Sequence, residues 1–134
     1  MRVGDHLGVP PKSVAAAAQV FISKLHTAIA ELDARYHAPD DLDADGFEAV
    51  IEVAGWAHSE WVRIHPFANG NGRTARILTN AILMRYGLPP ALRLRPRPHG
   101  PYAAAGLASM KREWADMVAF LRSTVLAAIA DAQP

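Results

Sequence analysis

Apolar residues recur at helical spacing through most of this chain, and no stretch alternates long enough to predict a strand. Val14, Phe21, Leu25, Ile29 and Leu32 predict a helix over 14–36, with Ser13 of Pro10-Pro11-Lys12-Ser13 as its cap. An acidic, turn-rich segment, 37–46, follows. Asp45 and Glu48 then make a capping-box pair for a second helix, whose Phe47, Val50, Ile51, Ala54, Ala57 and Trp61 share one face until Pro66 stops it. Ile77, Leu78, Ala81, Ile82 and Arg85 mark a third helix, expected to be the central one and to end at Gly87 before Pro89-Pro90. Pro96, Pro98 and Pro101 exclude regular helix over 91–101, and Met110, Trp114, Leu121, Val125 and Ile129 give one last long stripe. The expectation is an all-α fold.

The 134 residues suffice for one substantial core, so a single domain over 1–134 is expected, with 1–13 as a flexible N-terminal segment. A net charge of +1, from 14 Lys and Arg against 13 Asp and Glu, gives no general drive toward nucleic acid. No run matches a membrane span, the first residues lack the apolar core of a signal peptide, and the chain has no cysteine. The expectation is a cytoplasmic protein with neither nucleic-acid nor membrane partners.

Candidate chemistry concentrates in His65-Pro66-Phe67-Ala68-Asn69-Gly70-Asn71-Gly72-Arg73-Thr74-Ala75-Arg76. The glycines let backbone N–H groups approach an anion, and the run continues into a helix whose N-terminus favours phosphate. Arg73 and Arg76 share the first turn as two guanidinium forks, and His65 stands at the entrance as a candidate base. A base beside a phosphate cradle points to nucleotide chemistry. Pro66 and Phe67 read as scaffold, the ring anchoring the loop to the core.

This line closely resembles the Fic signature HPFx(D/E)GNGRxxR, departing only at Asn69, and the flanking segments extend the resemblance over roughly 50–90. The resemblance implies the Fic fold, with the signature loop between two central helices, and transfer of AMP from ATP to a Ser, Thr or Tyr hydroxyl of a target protein. It makes His65 the general base and Gly70, Asn71, Gly72 and Arg73 the triphosphate cradle, with the Asn71 amide and the Arg73 guanidinium on the phosphates. Arg76 is directed at the outer phosphates, Tyr102 at the adenine. The acidic signature position helps hold Mg²⁺, so Asn69 offers the metal an uncharged oxygen and a weaker site. Either a slower enzyme or a nucleotide-binding pseudoenzyme follows. Doc-like phosphotransferase toxins, the other branch, typically carry Lys where Gly72 stands, so Gly72 favours AMP transfer.

Family members are often restrained by (S/T)xxxE(G/N). Here Thr27 to Glu31 and Ser109 to Glu113 match in part and fail at the last position, with Glu31 read as an i,i+4 partner of Arg35. Inhibition is therefore expected from a separate antitoxin-like chain, and target docking as an extended strand along 36–46. His6, His26, His37, His58 and His99 have no metal-ligand spacing, the three tryptophans read as core, and Arg93, Arg95 and Arg97 read as a solvated extended loop.

Overall fold

The computed structural model describes residues 2, 3 and 6–132. Two short antiparallel strands, β1 (Arg2–Val3) and β2 (His6–Leu7), precede five helices: α1 (Val14–Arg35), α2 (Ala44–Ile64), α3 (Asn71–Arg85), α4 (Tyr102–Ser109) and α5 (Ala115–Ala132). Val9 is buried and donates its N–H to the Arg63 carbonyl at 3.2 Å, which docks the entry segment on the end of α2.

The central helix is α2, not the expected α3: it packs against α1, α3, α4 and α5. Its sequence explains this, since Ala54, Gly55, Ala57 and Ser59 present little bulk and are buried along with Val50, Ile51 and Ile64. At Gly55 a Cβ would stand 2.6 Å from Val118 Cγ2 and 3.0 Å from Val118 Cα, so α5 crosses here at a distance that only glycine permits. Phe21 and Leu32 of α1, Leu83 and Tyr86 near the end of α3, and Leu121 and Val125 of α5 complete the core around α2. By length and composition alone, the segment Pro11–Arg35 is apolar enough to cross a membrane, contrary to the sequence expectation, because its alanines raise the average without forming an unbroken bulky run.

Helix boundaries follow local chemistry. Ser13 makes no capping bond: a 3₁₀ turn over Pro11–Ser13 runs straight into α1 and leaves Ser13 in a helical conformation. Asp43, not Asp45, caps α2, accepting from the Gly46 N–H at 2.8 Å, while Glu48 reaches Arg122 of α5 instead of closing a box. The end of α3 is as expected: Gly87 has φ +81°, and Leu88 N–H bonds the Leu83 carbonyl at 3.0 Å in a Schellman arrangement. The predicted C-terminal stripe is helical only from Ala115, where α5 begins: Met110 and Trp114 lie in the turn that follows α4, a helix the stripe did not include. Segment 36–46 holds a 3₁₀ turn at Pro39–Asp41 and the first turn of α2, with no strand in it.

Candidate functional site

The loop between α2 and α3 begins where α2 stops. His65 is the C-cap of α2 in the left-handed region (φ 57°, ψ 58°), with its N–H on the Trp61 carbonyl at 3.0 Å. Its Nδ1 lies 3.1 Å from the Val62 carbonyl oxygen. A carbonyl only accepts, so Nδ1 carries the proton and Nε2 is left with a free lone pair. The ring is half-buried. This is the geometry a general base needs.

Asn71 shapes the rest of the loop. Its Oδ1 accepts from the Phe67 N–H at 3.0 Å and its Nδ2 donates to the Phe67 carbonyl at 2.7 Å, with the side chain buried. Both ends of the amide thus bond the loop's own backbone, which leaves one Nδ2 N–H unused for the expected phosphate contact. Phe67 differs from expectation: its ring is 49% exposed and reaches Trp61 with centroids 6.0 Å apart, so its backbone, not its ring, fastens the loop. Thr74 completes the frame, donating to the Gly70 carbonyl at 2.8 Å and accepting from Trp61 Nε1 at 2.8 Å.

Gly70 (φ +81°) is the N-cap of α3, so the N–H groups of Asn71, Gly72 and Arg73 open the helix and lack partners within its ladder. They face outward with the positive end of the helix dipole. The glycines also make room for guanidinium groups: a Cβ on Gly70 would lie 3.1 Å from Arg73 Nη2, and one on Gly72 would lie 3.1 Å from Arg76 Nη1. Arg73 is exposed and forms no ion pair among the described residues. Arg76 is buried, donating through Nη1 to the Tyr102 hydroxyl at 3.1 Å and through Nη2 to the Leu94 carbonyl at 2.9 Å. Asn69 is exposed at the loop's tip.

Tyr102 is 5% exposed, its ring against His58 and Phe120 and its hydroxyl 2.7 Å from His58 Nε2. The ring has no open face for an adenine, and the expected role yields to one in the core around Arg76. His58 was missed in the sequence, although it precedes His65 by two helical turns and so shares its side of α2. Burial, and then the Arg76 charge, push its pKa down to about 4. Burial likewise raises the Tyr102 phenol, partly offset by Arg76. Neither partial inhibitory motif reaches Arg76: Glu31 is exposed on α1 without an ion pair to Arg35, and Glu113 lies in the turn after α4.

Fold and site together define a helical domain that brings a histidine with a free ring nitrogen and an open helix N-terminus into one loop. The Fic/DOC family model matches residues 4–83, and the chain belongs to that family. It is similar to the protein adenylyltransferase Fic of Nematostella vectensis, 62% identical over 42 residues, which are 31% of this chain and 10% of that protein. The protein adenylyltransferase Fic of Aedes aegypti is 46% identical over 52 residues, 39% of this chain and 10% of that protein. That of Drosophila virilis is 52% identical over 42 residues, 31% of this chain and 9% of that protein. The match therefore spans about a tenth of each of these relatives.

Proposed function

We propose that this domain transfers AMP from ATP to a hydroxyl group of a target protein. The observation that carries the reading is the His65 ring, fixed through Nδ1 on the Val62 carbonyl and therefore basic at Nε2, at the mouth of the α3 N-terminus. Nε2 takes the proton of a Ser, Thr or Tyr hydroxyl as its oxygen bonds the α-phosphorus. The bond from that phosphorus to the bridging oxygen breaks, and pyrophosphate leaves with the electron pair. The outward N–H groups of α3 and the Arg73 guanidinium stabilise the negative oxygens. The similar adenylyltransferases support the same reaction class.

Asn69 is the residue offered to Mg²⁺. Its exposed amide oxygen suits a hard cation that draws most other ligands from phosphates and water, and no acidic cluster stands beside it among the described residues. When bound, Mg²⁺ neutralises phosphate charge. That weak donor set also favours a second reading, in which the domain binds nucleotide without turnover. Gly72 weighs against Doc-like phosphate transfer, and restraint is assigned to a separate antitoxin-like chain. Incubation with ATP and Mg²⁺ followed by intact-mass analysis tests the proposal: addition of AMP to the chain or to a target supports it, addition of phosphate supports the Doc-like reaction, and nucleotide binding without a mass change supports the pseudoenzyme.

A further inference from the structure

Two segments hold the Arg76 guanidinium, and each is itself held from behind. The Tyr102 hydroxyl, at the start of α4, accepts from Nη1, and the Leu94 carbonyl accepts from Nη2. Leu94 is in turn placed by Asn80 of α3, whose amide clamps the main chain of Leu92 in both directions at 2.7 and 3.0 Å. His58 of α2 stands behind Tyr102. Arginine only donates, so the phenol oxygen accepts from Arg76 and its own proton is available to a neutral His58 Nε2, 2.7 Å away. That direction requires a neutral imidazole, and burial beside Arg76 keeps His58 neutral. Two of the five guanidinium N–H groups are thereby used, while the buried Nε has no partner among the described residues. A guanidinium aimed and only partly satisfied is prepared for an anionic ligand.

We infer that Tyr102 and His58 are positioning residues for Arg76, holding its guanidinium beside Gly72 with donors free for the outer phosphates of a nucleoside triphosphate. This rests on the adenylyl-transfer reading of the loop. The Tyr102 hydroxyl sets the rotation of the guanidinium, and His58 sets the direction of the hydroxyl. Loss of either leaves Arg76 in place but lets the fork turn, so recognition of a triphosphate weakens while recognition of a monophosphate, which lacks the outer phosphates, does not.

The test compares the wild-type chain with Tyr102→Phe, His58→Leu and His58→Gln, each shown to be folded by circular dichroism. Calorimetric titration with ATP and with AMP is expected to show ATP affinity falling about tenfold in Tyr102→Phe and His58→Leu, with AMP affinity changed less than about twofold. His58→Gln, which keeps an acceptor for the phenol proton, is expected to restore most of the ATP affinity. Independently of nucleotide, ¹⁵N spectra of the Arg76 side chain should show hindered guanidinium rotation in the wild type and faster rotation in Tyr102→Phe. Equal losses for ATP and AMP, or unchanged ATP affinity and rotation in folded Tyr102→Phe, would overturn the inference. Wild-type protein that binds neither nucleotide would instead remove the adenylyl-transfer reading and with it the role toward phosphates, leaving the rotation measurement to decide whether Tyr102 holds Arg76.

Discussion

The His65 imidazole is held by Val62, one turn back on α2, through the 3.1 Å contact from Nδ1 to the main-chain oxygen. Because the partner is backbone, side-chain changes at position 62 do not delete it. His65→Asn suits a test of the base, since asparagine tolerates the left-handed backbone of this position and cannot accept the proton at neutral pH. The expected result is loss of AMP transfer by a hundredfold or more, about 10²–10⁴ being usual for a general base, with nucleotide affinity retained. Transfer at the wild-type rate would remove His65 from the mechanism.

Asn71 and the main chain of Phe67 share two hydrogen bonds, so Asn71→Asp sets a carboxylate oxygen against the Phe67 carbonyl. A loss of about 1–3 kcal/mol in stability is expected, readable as a lower urea midpoint, together with weaker nucleotide binding. A variant as stable as the wild type would mean that the clamp does not hold the loop.

Asn69→Asp places charge where the wild type offers a neutral oxygen, on a side chain of nearly equal size. The Mg²⁺ concentration for half-maximal transfer should fall, and a wild type inactive at any Mg²⁺ level should gain activity. Superimposable Mg²⁺ titrations of the two proteins would separate position 69 from the metal.

His58 makes stability depend on pH in a defined direction. Its folded pKa of about 4 lies below the ordinary value of 6.5, so the unfolded chain binds the extra proton between those values. Stability from this group is therefore fully present above the unfolded value and falls as the pH drops from there toward about 4, by about 3 kcal/mol in all. Urea midpoints taken from pH 7 to pH 4 should decline more steeply in the wild type than in His58→Gln. Parallel curves would show that His58 does not supply the slope.

At Gly55 an added methyl group meets the Val118 backbone as well as its side chain, so the neighbour cannot simply rotate away. Gly55→Ala is expected to cost about 1–3 kcal/mol despite alanine's better helix propensity. A higher melting temperature in that variant would show that α5 shifts without cost.

The helices that present one bulky apolar face were legible in the sequence: α1 and α3 ended within a residue or two of where periodicity and the Gly87 cap placed them. The loop as the candidate site was legible too, because a histidine before Asn-Gly pairs and arginines has few structural uses. Helix α4 was not. Its Tyr102-Ala103-Ala104-Ala105-Gly106-Leu107-Ala108-Ser109 has no charged residue, so no polar face contrasts with an apolar one. The centrality of α2 was hidden for a related reason: Ala54, Gly55, Ala57 and Ser59 carry little hydrophobicity, and what distinguishes them is smallness on several sides at once. Asn71 and Tyr102 were assigned by resemblance to phosphate and adenine; Asn71 bonds the main chain of Phe67 four residues back, and Tyr102 bonds the His58 and Arg76 side chains, which only the fold brings to it.

The indole of Trp61 donates to Thr74, which in turn donates to Gly70, and the Phe67 ring lies alongside. The chain therefore carries its own optical gauge of the loop. Trp56 and Trp114 both border the groove by Lys24, neither bonds Thr74, and Trp56 shares the Phe21 ring with Trp61. Replacing those two by Phe would leave a single emitter whose colour and intensity follow the hydrogen bond at Thr74, so that occupancy at the start of α3 becomes visible as fluorescence in an unlabelled protein.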